Sequence, residues 1–238
     1  MIFLTELLSP AGGMPALDAA LAAGADAVYL AGKSFGARAY AGNFDNDELL
    51  LASEKVHFLG KKLYITLNTL VTDRELDTAL GFARFLYENK VCDGIIIQDL
   101  GLAKEIKTHF PKLILHGSTH MCVHSAAGVV KAAGLGLERV VVARESSREE
   151  IKKCVETGIE IEAFIHGAYC VSQSGGCLMS SFIGKRSGNR GACAQPCRLP
   201  YDGGYHISLK DMCLAKHIPL LVSDGVASLK IEGRMKSP

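Results

Sequence analysis

Four cysteines, Cys170, Cys177, Cys193 and Cys197, fall in the stretch CVSQSGGCLMSSFIGKRSGNRGACAQPC with the spacing C-x6-C-x15-C-x3-C. Thiolates in such numbers bind metal. Structural zinc sites use paired knuckles of C-x2-4-C, and only the last pair comes near that pattern. Iron-sulfur clusters accept looser spacings, so spacing alone leaves the two metals open. Unligated burial is the plain alternative, since free cysteine is among the most buried residue types. Here, however, the segment is rich in Gly and Ser and has no apolar period with which to build a core. From residue 163 to 201 there is no Asp or Glu, whereas Lys185, Arg186, Arg190 and Arg198 all lie inside. Such cations offset thiolate charge, and they equally suit the phosphates of an RNA, with Arg186 and Arg190 as fork-shaped donors. Cys213, in KDMCLAKH and read as the start of a helix, could replace one of these ligands.

Other residues offer acid/base and anion-binding chemistry. His120, His166 and Glu232 are the acid/base candidates, because His titrates near neutrality and burial can raise a carboxylate toward it. Arg38, Arg144, Lys230 and Arg234 are placed to hold a small anionic co-substrate, and Asn68 and Gln98 to orient a carbonyl or a base. No H-e-x-x-H or G-x-S-x-G pattern equips the chain for zinc-dependent or serine proteolysis. Ser180 and Ser181 have no evident base, and a cysteine nucleophile beside His166 would compete with metal for the thiol of Cys170.

These residues lie near the ends of candidate strands or in the loops beyond them. Short runs of β-formers at 3–8, 27–31, 63–68, 94–98, 113–116, 139–143, 159–165 and 228–231 alternate with helical patterns such as PALDAALAAG, NDELLLASEKVHFLG and RELDTALGFARFLYENK. Continuous apolar runs mark parallel strands covered on both faces. Eight of them predict a (β/α)8 TIM-like barrel as one domain over 1–238, lacking its last helix, with a cysteine-rich loop over 168–206 after strand seven. A doubly wound open sheet is the alternative. In a barrel the strand ends form the catalytic face, where every candidate above would gather.

Bulk properties bound the partners. With 26 basic against 25 acidic residues, no global field favours nucleic acid or a membrane, so any such partner is recognised locally. The N-terminus lacks the basic flank of a signal peptide, and no apolar run is long enough to span a bilayer. A reducing cytoplasmic setting is expected, in which Cys92, Cys122 and Cys154 read as packing residues rather than disulfide partners.

EAFIHGAYCVSQSGGCLMSS resembles the signature of the collagenase-like peptidase family of unassigned catalytic type, through Glu162, Phe164, Gly167, Ala168, Cys170, Gly175, Cys177 and Ser180. Tyr169 departs from it, standing where an aliphatic residue is usual. ELLSPAG, GADAVYLAGKSFGARAYAGNF, RSGNRGACAQPCRLPY and SLKIEGRMKSP agree in order, so the resemblance spans the chain. It implies a barrel carrying a 4Fe-4S cluster on Cys170, Cys177, Cys193 and Cys197. It implies further an oxygen-independent hydroxylase of tRNA or ribosomal RNA bases, with prephenate as oxygen donor and with further domains or partner proteins. Collagenase-like proteolysis and non-catalytic RNA binding or assembly are the alternatives.

Overall fold

The computed structural model describes residues 5–174 and 176–236. Residues 3 and 4 of the first expected strand, and Gly175 of the signature, lie outside them. Eight parallel strands close into a barrel: β1 (Glu6–Pro10), β2 (Ala27–Leu30), β3 (Lys62–Leu67), β4 (Gly94–Ile97), β5 (Leu115–Gly117), β6 (Arg139–Val141), β7 (Glu160–Gly167) and, after the short β8 (Met212–Cys213), β9 (Ser228–Ile231). Neighbours pair in chain order from β1 to β7, and β9 closes the ring between β7 and β1. This is the TIM-like architecture expected. β8 is not a stave: it pairs antiparallel with the end of β7, His166 opposite Cys213. Cys213 therefore sits in a two-residue strand rather than at a helix start, and the helix begins later, at Ile218.

Helices α1 (Met14–Ala22), α2 (Asn46–Phe58), α3 (Asp73–Glu88), α4 (Leu100–His109), α5 (Ala126–Ala133) and α6 (Arg148–Val155) each follow one of the first six strands. α7 (Met179–Gly184) belongs to the cysteine-rich loop, and α8 (Ile218–Ser223) leads into β9. No helix follows β9 among the described residues. None of the described helices is long and apolar enough to cross a membrane. Capping fixes where the helices start. Asp45 accepts from the Glu48 N–H while Glu48 accepts from the Asp45 N–H, and Ser147 and Glu150 repeat the box on α6.

Two buried clusters divide the barrel. The larger lies between sheet and helices and takes one side of each strand, including Val28, Leu30, Leu63, Ile65, Ile95 and Ile97. The smaller, Leu8, Ala27, Tyr29, Tyr64 and Ile96, takes the alternate positions and so faces the barrel axis. The axis is also charged. Arg139 pairs with Glu6 (2.5 Å), Glu160 (2.8 Å) and Glu162 (3.4 Å), and Lys230 pairs with Glu162 (2.7 Å). Lys230 also lies 4.3 Å from the Tyr29 ring centre. This ladder fills the barrel below the catalytic face and supports what stands above it.

Candidate functional site: four thiols above an arginine-lined chamber

The cysteine-rich loop lies over the barrel mouth and is tied to three of its rim loops. Gly191, at φ +77°, runs so close to the β2–α2 loop that a Cβ there would stand 2.3 Å from the Gly36 carbonyl oxygen, a contact only glycine permits. Arg190 donates to the Leu70 carbonyl and grips Glu75 through both terminal nitrogens (2.8 and 2.5 Å). Ser174 hydrogen-bonds Glu145 and accepts from the Arg144 N–H, which fixes the Cys170–Cys177 turn to the β6–α6 loop. Arg198 donates to the Tyr169 carbonyl and to Ser208, drawing the end of the loop back on its start.

So held, Cys170, Cys177, Cys193 and Cys197 line one cavity of about 820 Å³ including its open mouth, together with Arg38, Tyr40, His120, Arg144 and Arg198. The Cys197 thiol is pushed up by burial and by the neighbouring Cys170, with Cys193 and Cys177 adding to it against Arg198. The Met179 N–H donates to Cys177 Sγ (3.3 Å) and the Gln195 N–H to Cys193 Sγ (3.4 Å). Among the described residues, no three His, Cys, Asp or Glu side chains are drawn together tightly enough to hold a single metal ion. Cys213, the alternative ligand, is exposed and does not line the cavity.

Below, and sharing Arg38, His120 and Arg144 with the cavity, lies a chamber lined by Tyr29, Thr66, Asn68, Phe164, Lys230, Glu232 and Arg234. Three guanidinium groups meet there. Arg38 donates from Nε and Nη2 to Glu232 (3.3 and 3.0 Å). Arg144 stacks on Phe164 (4.5 Å), and its buried Nε has no partner among the described residues. Arg234 is buried, donates to Thr66 Oγ1 (3.1 Å) and forms no ion pair among the described residues. Burial pulls its pKa down to about 10, with Arg38 adding to the drop and Tyr29 and Glu232 opposing it. Burial and Arg38 likewise lower Arg144. Three cations facing one carboxylate leave an excess of positive charge in a desolvated space, the requirement for an anion site.

The acid/base candidates separate. Burial would raise Glu232, but Arg38, Arg144 and the Ala168 N–H outweigh it and hold the carboxyl below its usual range, opposite to the direction expected from burial alone. His120 Nδ1 lies 3.3 Å from the Asn68 carbonyl, so this nitrogen carries the proton and Nε2 is left as an acceptor. Burial, then Arg38 and Arg144, push the imidazole down to about 3, and it stays neutral. His166 is exposed on β7 and lines neither space. Lys230 lines the chamber while bound to Glu162, and burial lowers its pKa. Asn68 serves the rim by accepting the Ala37 N–H. Gln98 faces a separate groove beside α5, with Nε2 3.5 Å from the His120 carbonyl. The fork of Arg190 is filled by Glu75, and Arg186 stacks on Tyr40 (4.4 Å) while donating to the Ala192 carbonyl.

Reading only the residues beyond each strand missed Tyr29, Thr66 and Phe164, which line the chamber from within β2, β3 and β7. The signal that finds them is the period of two, which turns the last axial position of each strand into the chamber wall. Cys122 packs against the cysteine-rich loop, its thiol 3.8 and 3.7 Å from the carbonyls of Gln173 and Ser174, whereas Cys154 is buried on the inner face of α6.

The model of peptidase family U32 matches residues 12–238. The chain belongs to this family. It is 36% identical to a tRNA hydroxylation protein of Bacillus subtilis, over 98% of this chain and 59% of that one. It is 38% identical to a 5-hydroxycytidine synthase of 23S ribosomal RNA from Escherichia coli, over 97% of this chain and 36% of that one. A collagenase of Porphyromonas gingivalis is 31% identical over 98% of this chain and 62% of its own. The chain thus spans less than two thirds of the length of each. A solved U32 peptidase superposes over 99% of the chain with a TM-score of 0.71 at 13% identity, a likeness of fold.

Proposed function

We propose that this chain is the catalytic barrel of an oxygen-independent RNA hydroxylase, working in the reducing cytoplasm, with a 4Fe-4S cluster on Cys170, Cys177, Cys193 and Cys197 and a small anionic oxygen donor, prephenate, in the chamber below. One observation carries the reading: the four-thiol cavity and the arginine-rich chamber adjoin, sharing Arg38, His120 and Arg144 in their linings. The relatives named for tRNA and ribosomal RNA hydroxylation supply the substrate class.

The donor set suits a cluster better than zinc. A single tetrahedral ion draws its sulfurs in to about 2.3 Å from one centre. A cluster spreads four thiolates over four irons, which suits four thiols lining one cavity. N–H donors on Cys177 and Cys193 are of the kind that tunes such a centre. When bound, it supplies redox or Lewis-acid chemistry that side chains lack.

The protein's own groups then orient and exclude. Arg234 and Arg144 hold the carboxylates of the donor, and Thr66 fixes the Arg234 fork. His120, neutral with Nε2 unprotonated, accepts a hydrogen bond without adding charge. Glu232 holds Arg38, a residue that lines both spaces, through an ion pair. Collagenase-like proteolysis has less to work with. Ser180, its candidate nucleophile, is buried and its Oγ accepts the Ala194 N–H (2.8 Å).

The test is nucleoside mass spectrometry of RNA from cells with and without the gene, and of RNA treated anaerobically with the iron-loaded protein and prephenate. A hydroxylated pyrimidine that depends on both protein and donor is the expected result. An unchanged nucleoside profile in both experiments overturns the reading.

A further inference from the structure

Beside the mouth, α7 presents an exposed apolar knuckle. Phe182 is 84% exposed, Ile183 62% and Leu178 53%. The helix is seated from its other face, where Ser180 is buried and receives the Ala194 N–H. Its apolar side is therefore not part of the loop's own core. The knuckle follows directly on Cys177 and runs into the exposed Lys185 and then Arg186, whose guanidinium stacks on Tyr40 at the cavity wall.

Size and charge decide what it meets. Three side chains offer a few hundred Å² at most, roughly, whereas a stable protein interface buries about 800 Å² per partner. The knuckle is the size of one or two stacked bases. It stands within residues 163–201, where Arg190 and Arg198 are paired with Glu75 and Asp211 but Lys185 and Arg186 form no ion pair among the described residues. A nucleobase stacked in a duplex is shielded by its neighbours from a site at the barrel mouth, so the strand must be opened at the rim. Apolar side chains wedged between bases do this, with flanking cations on the phosphates.

We propose that Phe182 and Ile183 form a wedge that stacks against the neighbours of the target nucleotide in single-stranded RNA, while Lys185 holds the adjacent phosphate and the Arg186–Tyr40 pair walls the entry. This rests on the reading of RNA as substrate and adds the strand form and the residues that open it. Phe182 is a positioning residue: it touches flanking bases, not the reacting atoms.

The experiment measures binding of the anaerobic, iron-loaded protein to a labelled single-stranded RNA and to its duplex across a salt series, for the wild type, Phe182→Ala, Phe182→Trp and Lys185→Ala. The wild type is expected to prefer the single strand. Phe182→Ala should weaken that binding by about tenfold with the salt slope unchanged, and Phe182→Trp should restore it. Lys185→Ala should reduce the salt slope by about one. Iron content should stay constant throughout.

Equal affinity of Phe182→Ala and wild type overturns the wedge and, if nucleosides are still hydroxylated, leaves the enzyme reading standing. Phe182-dependent RNA binding without any hydroxylated nucleoside supports the wedge and removes the hydroxylase. Absence of RNA binding in the wild type overturns both, and Phe182-dependent self-association overturns the wedge in favour of a second copy.

Discussion

Arg234 and Glu232 stand two residues apart beyond β9 and act oppositely on the chamber. Arg234 is a buried cation whose hydrogen-bond partner is a hydroxyl, and Glu232 is a carboxylate that already occupies Arg38. Replacing Arg234 by Ala removes a charge-assisted bond of about 1.5–3 kcal/mol, so the affinity for prephenate should fall by about tenfold or more. Glu232→Gln removes competing negative charge and should raise that affinity. Calorimetric titration of the iron-loaded protein checks both, and equal affinities for the two variants would contradict the anion site. Sequence marked Arg38, Arg144 and Arg234 as anion binders from their place after strands. It could not mark which were already spent, because the partners of Arg38 and Arg190 are 194 and 115 residues away in the chain.

At the scale of elements, the strands and the first helices were legible because buried parallel strands and amphipathic helices leave long periodic patterns. β8 was not, since two residues have no period and its pairing depends on β7 projecting past the rim. The seating of the cysteine-rich loop was equally hidden. Glu75, in the first turn of α3, hydrogen-bonds Thr72 and receives the Arg190 fork. The Arg190 bonds, helped by those of Thr72, hold the Glu75 carboxyl down to about 2. Its folded value lies below the ordinary carboxylate value of about 4.3, so the pair contributes fully above that pH and is lost as pH falls through about 2. Corrected for the intrinsic rate at each pH, the protection of the amides across residues 188–192 should fall over this window in the wild type. In Arg190→Ala that protection should be lower by up to about fivefold at neutral pH and lack the acid step. Identical exchange in the two proteins would show that Arg190 does not secure the loop.

Across the whole molecule, the barrel interior joins base to mouth through charge. Glu162 is fully buried and serves both Arg139 and Lys230, so Glu162→Gln leaves two buried cations short of a partner. Breaking such a pair costs about 3–5 kcal/mol, and denaturant unfolding of the variant should show a loss of that order. A loss below about 1 kcal/mol would mean that water or rearrangement compensates the charges. The barrel itself followed from the alternation of strand and helix, while its charged axis did not, because Glu6, Arg139, Glu162 and Lys230 lie on four strands scattered along the chain. What unites the scales is the position of four thiols over this axis. Anaerobic purification with iron and sulfide analysis of the wild type, Cys177→Ala and Cys193→Ala tests that most directly. The account predicts about four irons and four sulfides per chain, lost in both variants. Protein that carries zinc or no metal after anaerobic reconstitution, or variants that keep their full iron, would contradict it.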